Sequence, residues 1–260
     1  MAESKAKGVV DIVVLLDVTG SMQECVDAVK GSISTFITSL GAKDANNDSP
    51  IKDWRMKICG YRDHQAQESN WFVDNPFVRD IAAIQAQLSN PNLNATGGGD
   101  EPESLLDALY KLAKTDQAGA QDAEDASKWR ARGTAARAVI FFTDATFKTP
   151  MTIPEAAGGG VSDVITAITT NKIILCGFCP EWSGYLELGT VDRAEIDPVV
   201  KVSEMPVLEH LGKPGDAGNA AMVASVGALR AKVSDSVAFT KIMVQLAKGI
   251  SKSSAVEVAD

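Results

Sequence analysis

The chain has 260 residues, 45% hydrophobic and 23% charged, which suits one large buried core and argues against wholesale disorder. Its formal net charge of −9, with no run of Lys and Arg, argues against generic nucleic-acid binding. The opening Met1-Ala2-Glu3-Ser4-Lys5-Ala6-Lys7 lacks the pattern of a secretion signal, and no stretch approaches the ~18 apolar residues of a membrane span, so a soluble, cytoplasmic protein is expected.

Val9 to Leu16 is a nearly continuous β-branched apolar run broken by Asp11. Such a run predicts a strand buried on both faces, central in a parallel sheet. It ends at Asp17. Met22, Val26, Val29, Ile33, Phe36, Ile37 and Leu40 then recur at helical spacing. Gly41 to Ser49 reads as a loop, and Trp54 to Tyr61 alternates as a strand does. Trp71-Phe72-Val73 and Pro76-Phe77-Val78 suggest a short edge strand, where Pro is tolerated. Asp80 is placed to cap a helix over about residues 81 to 88.

Pro91 to Gly99 reads as a loop, and Pro102 marks a helix start, with Leu105, Leu106, Leu109 and Leu112 on the buried face. Ala118 to Ser127 is expected to be a surface excursion. Ala138 to Phe142 is another buried strand, ending in Thr143-Asp144. Gly158-Gly159-Gly160 precedes a helix through Val161, Val164, Ile165 and Ile168, and Lys172 to Phe178 is a further strand. Residues 180 to 220 are irregular, with room for a short helix or strand between Gly189 and Val200. Ala220 to Ala231 and Val237 to Ile250 read as helices that pack back on the sheet, and Ser251 to Asp260 as a frayed tail. The alternation predicts a doubly wound α/β domain over residues 8 to 250. It has a mostly parallel sheet, helices on both faces and one antiparallel edge strand.

Ligands of such sheets bind beyond the carboxyl ends of the strands. Two central strands end there in aspartate, Asp17 and Asp144. Thr19 and Ser21 follow Asp17 at alternate positions, a spacing that turns oxygen side chains toward one point, and Gly20 lets the backbone bend. Carboxylates, hydroxyls and water form a hard-oxygen set suited to Mg²⁺, with Mn²⁺ fitting similar ligands. Zinc is disfavoured, since the cluster offers neither Cys nor His. The loop Asn94 to Glu103 is expected to contribute as well. Asp100 there is equally placed to cap the following helix or to ligate.

Asp17-Val18-Thr19-Gly20-Ser21-Met22 resembles the metal-ion-dependent adhesion site of von Willebrand factor A domains, whose motif is Asp-x-Ser-x-Ser, a later loop Thr and a late strand-end Asp. Asp17 and Ser21 match, Thr19 keeps the first hydroxyl, and Asp144 matches the late Asp. Cys59-Gly60-Tyr61-Arg62-Asp63-His64 and Thr96 to Glu103 resemble segments of bacterial and intracellular members. The resemblance covers about residues 8 to 180. It implies a metal site on Asp17, Thr19, Ser21, Asp100 and Asp144, a non-enzymatic interaction module, and a partner protein such as an ATPase, a kinase or a stress-response component. Counted back from the helix leucines, the family Thr position falls on Asp100, and Thr96 takes it only if the loop is rearranged. A carboxylate there would hold metal without one from a partner.

Two alternatives stay open. One is a Mg²⁺-dependent hydrolase with Asp63, His64 or Glu103 beside the metal. The other is a scaffold whose metal site is degenerate. Other motifs are weaker. Cys176-Gly177-Phe178-Cys179 has redox or zinc spacing, but Pro180 follows it. Gly97-Gly98-Gly99 lacks the Lys of a phosphate loop, and no Ser-His-Asp order is evident.

Overall fold

The computed structural model describes residues 8–42, 51–66, 69–97, 102–119, 125–180, 182–191, 194–196, 231 and 233–255. The strands are β1 (Val9–Asp17), β2 (Asp53–Tyr61), β3 (Phe72–Asp74), β4 (Ala136–Phe142), β5 (Ile173–Phe178) and β6 (Ala194–Ile196). The helices are α1 (Gln23–Leu40), α2 (Ile81–Leu88), α3 (Leu105–Lys114), α4 (Val161–Thr170), α5 (Ser183–Leu188) and α6 (Ser236–Ala255). The six strands form one sheet in the order β3-β2-β1-β4-β5-β6. Every pairing is parallel except β2 with β3, which puts the one antiparallel strand at an edge. No helix among the described residues is long and apolar enough to cross a membrane.

The continuous apolar strands are explained by two cores, one on each side of the sheet. Side chains alternate along a strand, so successive residues enter opposite cores. Val10, Ile12, Val14 and Leu16 join α1 and α6 on one side, with Phe239, Met243, Ala247 and Ile250 supplied by α6. Val13 and Leu15 join α3 and α4 on the other. Asp80 caps α2, accepting from the Ala83 amide at 2.8 Å.

Three boundaries differ from the sequence reading. The helix expected at Pro102 begins at Leu105, because the Glu103 amide donates to Thr146 O and its carbonyl accepts from Lys148 N. That short bridge holds Glu103 in strand-like pairing beside Phe147. Residues 251 to 255, expected to fray, continue α6. Within the irregular stretch lie α5 and the short edge strand β6. The helix expected over 220 to 231 falls, save for Ala231 at its end, outside the described residues.

At the amino end of the sheet, the α3 side buries a charge network. Asp11 on β1 is fully buried and accepts from Arg55 Nε (3.0 Å) and Nη2 (2.7 Å). It also accepts from Arg130 Nε (2.7 Å) and the Arg130 amide (2.8 Å). Arg130 reaches Val10 O at 2.9 Å and pairs with Asp53. One carboxylate thus binds β1 to β2 and to the segment before β4.

On the same side near the other end, Gly177 is the β5 partner of Phe141. A Cβ on Gly177 would lie 2.4 Å from Phe141 Cζ, in the space the ring now fills. The ring stacks on Tyr185, with centroids 5.9 Å apart, and has little room to yield. Gly177→Ala is expected to lower stability by about 1–3 kcal/mol through overpacking. A urea midpoint unchanged from the parent protein would contradict this.

Candidate metal centre

The chain leaves β1 toward β2 on one side, whereas β4 leads to β5 on the other. A crevice opens at the carboxyl ends where two such neighbours diverge, and it is the usual ligand position in open α/β sheets. Asp17 ends β1, and Thr143-Asp144 follows β4.

Asp17 is fully buried. Its Oδ1 accepts from the Thr19 amide (3.0 Å) and the Thr19 hydroxyl (2.7 Å), and its Oδ2 accepts from Thr143 Oγ1 (2.8 Å). Thr19 Oγ1 lies 3.4 Å from Ser21 Oγ, which donates to Asp144 Oδ1 at 2.9 Å. The chain of contacts Asp17–Thr19–Ser21–Asp144 is therefore continuous, and it runs from a buried carboxylate to the exposed Ser21. Burial pushes the Asp17 carboxyl up from 3.8 to about 6. Hydrogen bonds from Thr19 and Thr143 pull it back, and the charge of Asp144 adds to the rise. Among the described residues no Lys, Arg or His forms an ion pair with Asp17. A buried carboxylate in that state favours a cation or a proton beside it.

The third loop reaches the same turn. Thr96 N donates to Val18 O and Gly20 N donates to Gly97 O, both at 3.0 Å. Gly20 suits this close approach, since a Cβ there would lie 3.3 Å from Gly97 O. The Thr96 hydroxyl is 3.4 Å from Arg62 Nη2 and 3.5 Å from Asn94 O. Asp100, the other candidate from this loop, lies outside the described residues.

Three residues of the site escaped the sequence reading as participants. Thr143 is the second hydroxyl on Asp17, and its place directly before Asp144 was the available signal. Arg62 is buried just beyond β2 and donates to carbonyls of the third loop. The Tyr61 hydroxyl is buried close to Thr143, Asp17 and Glu103 without a hydrogen bond of normal geometry.

The donor set is all oxygen. Among the described residues no three His, Cys, Asp or Glu side chains converge on a point, so this centre rests on two carboxylates and the hydroxyls between them. All four cysteines are buried thiols. Burial pushes the Cys25 thiol up, and Asp144 and Asp17 push it further, so it offers no thiolate to a soft metal. Two carboxylates with neutral hydroxyls suit a hard divalent cation that keeps several waters. Asp17 Oδ2 still has acceptor capacity after Thr143.

Asp63, His64 and Asp107, also at this end, are engaged elsewhere, while Glu103 is buried close to Tyr61. Asp63 accepts from Lys148 Nζ at 2.7 Å, from Gln65 N at 3.0 Å and from Ser104 Oγ at 3.4 Å. His64 Nδ1 lies 2.9 Å from Thr152 Oγ1, and its ring meets the Trp71 ring edge-on. Asp107 pins the segment before α4, accepting from the amides of Thr152 (2.7 Å) and Ile153 (2.9 Å).

No protein-family model matches this chain, and no curated protein matches it. Solved structures do. Proximal thread matrix protein 1 from the mussel byssus is 12% identical with a TM-score of 0.45, over 74% of this chain and 44% of that one. The pilus adhesin SpaC from Lactobacillus rhamnosus GG, in an open conformation, is 13% identical with a TM-score of 0.44, over 93% of this chain and 30% of that one. The chain spans less than half the length of either protein.

Proposed function

We propose that this chain is a von Willebrand factor A-type interaction module that binds Mg²⁺ at the end of its sheet and recognises another protein there. One observation carries the reading: the hydrogen-bonded run Asp17–Thr19–Ser21–Asp144 lies where β1 and β4 diverge. Asp17, Thr19 and Ser21 would hold the ion, with Asp144 in direct or water-mediated contact. Asp100 is proposed as the contributor from the third loop. The ion would supply a fixed positive charge at the exposed rim. The chain's residues hold the oxygens in place, fill the lone pairs that do not face the ion, and keep water from the buried side.

A non-enzymatic role is preferred because two candidates for a hydrolytic base are already committed. Asp63 is paired with Lys148, and His64 is bonded to Thr152. The partner is proposed to be a protein, in a cytoplasmic setting. A pull-down with the full chain, in Mg²⁺ and in chelator, tests recognition. The same captured proteins under both conditions would rule out metal-dependent binding.

The pH dependence follows from Asp17. Its carboxyl titrates near 6 in the metal-free protein, so below that value the ion must displace a proton. Mg²⁺ affinity is expected to rise by about tenfold per pH unit up to roughly pH 6 and to level off above. Calorimetric titrations at pH 5, 6, 7 and 8 check this, and a flat profile from pH 5 to 8 would exclude Asp17 as the titrating group.

A further inference from the structure

We infer that Arg62 is a positioning residue for the cation site, and that its forked guanidinium, not its charge alone, keeps the third loop docked on the Asp17 turn. The part concerning metal affinity rests on the metal reading above; the part concerning loop docking does not.

Arg62 follows β2 directly and is buried. Its Nε donates to Thr96 O at 3.1 Å. Its Nη2 reaches Asn92 O at 3.0 Å and Asn94 O at 2.9 Å, and its Nη1 reaches Asn70 O at 3.3 Å. The Arg62 amide donates to Trp71 O at 2.7 Å. These acceptors are main-chain carbonyls, so the bonds fix the path of the backbone whatever side chains the loop carries. The carbonyls come from two separate segments, 70–71 and 92–96. A planar fork with donors in several fixed directions can serve both, whereas a lysine ammonium presents its donors from one point.

The loop so held makes the two contacts that matter. Thr96 N donates to Val18 O, and Gly97 O accepts from Gly20 N. Val18 and Gly20 alternate with Asp17, Thr19 and Ser21, so fixing their backbone fixes the direction of the oxygens between them. The hydrogen bonds of the Arg62 side chain go to residues 70 and 92–96 and not to those oxygens; it acts through the loop. The nearby charge of Asp17 favours the charged guanidinium that burial opposes, which ties the two groups together electrostatically as well.

The test compares the full chain with Arg62→Lys, Arg62→Met and, as a destabilised control remote from the site, Asp80→Ala. Hydrogen exchange at the Thr96 and Gly20 amides reads docking, and calorimetric Mg²⁺ titration reads the site. In both Arg62 variants the two amides are expected to exchange at least ~10-fold faster, and the Kd for Mg²⁺ to rise ~10- to 100-fold, as when an outer support of a metal site is lost. Asp80→Ala is expected to leave both unchanged, which separates positioning from general loss of stability. Wild-type behaviour of Arg62→Lys beside a defective Arg62→Met would assign the effect to charge and overturn the proposal. Unchanged exchange in both variants would overturn it too, as would faster exchange with unaltered Mg²⁺ affinity. If the parent protein itself binds no Mg²⁺, the metal reading fails, and exchange alone decides whether Arg62 docks the loop. If neither Arg62 variant folds, Thr96→Pro removes the amide donor to Val18 from an exposed residue, and parental exchange at Gly20 there would overturn the proposal.

Discussion

Asp17→Asn is expected to reduce Mg²⁺ affinity by more than ~100-fold, beyond what loss of an outer support typically costs. The same substitution is expected to stabilise the metal-free protein at pH 7. The reason is the sign of the proton linkage. The Asp17 carboxyl titrates near 6 in the folded chain, against 3.8 as its ordinary value. The folded state therefore binds the proton more tightly than the unfolded state, and metal-free stability falls as pH rises from about 4 to about 6. A displacement of about two units corresponds to roughly 3 kcal/mol for the ionised form. Asparagine removes that charge while leaving an oxygen for the Thr19 or Thr143 hydroxyl. Thermal midpoints in chelator should favour Asp17→Asn at pH 7, converge near pH 4, and invert at pH 7 when Mg²⁺ is added. A midpoint of the parent protein that does not respond to Mg²⁺ would refute the metal centre directly.

Asp11→Ala is expected to cost about 3–5 kcal/mol, because it takes the shared carboxylate from two buried guanidinium groups and leaves Arg130 its pairing with Asp53. Arg55 and Arg130 are each under 5% exposed and both converge on Asp11. Against a total stability of about 5–15 kcal/mol for a typical domain, this is the largest single-site effect expected outside the cation site. The network as a whole is a different matter, since exchanging an entire buried ion pair for apolar groups is often neutral. The triple variant Asp11→Leu, Arg55→Met, Arg130→Met should therefore recover much of the loss. Urea denaturation of the single and triple variants tests both statements. A cost under ~1 kcal/mol for Asp11→Ala would mean that water reaches the arginines.

What the sequence disclosed follows the range of the interactions involved. The strands β1, β4 and β5 were legible because burial on both faces writes itself into consecutive apolar residues, and β2 because its residues alternate. Asp80 was legible as a cap because its partner, Ala83, is three residues away. The Asp17-Thr19-Ser21 spacing was legible for the same reason: the turn that brings these oxygens together is local. Thr143 and Arg62 were not, because their partners are distant in the chain. Thr143 meets Asp17 across more than a hundred residues, and Arg62 meets a loop some thirty residues on. The start of α3 was misplaced at Pro102 because Glu103 is drawn into pairing with residues 146 to 148, which lie beyond β4. A proline permits a helix start and does not compel one when the neighbouring amide and carbonyl are used elsewhere.

The strand order also bears on how the chain is made. The central strand comes first in the sequence and has one neighbour early and the other late: Val14 pairs with Ile58 on one side and with Ile140 on the other. A ribosome adding ~5–20 residues per second would leave one edge of β1 without its partner for roughly ten seconds. Over that interval the nascent chain presents an apolar, hydrogen-bond-hungry strand, the form most prone to pair with the wrong chain. Efficient production of this protein is therefore expected to depend on holding factors at the ribosome, and slower translation before β4 to lower the soluble yield.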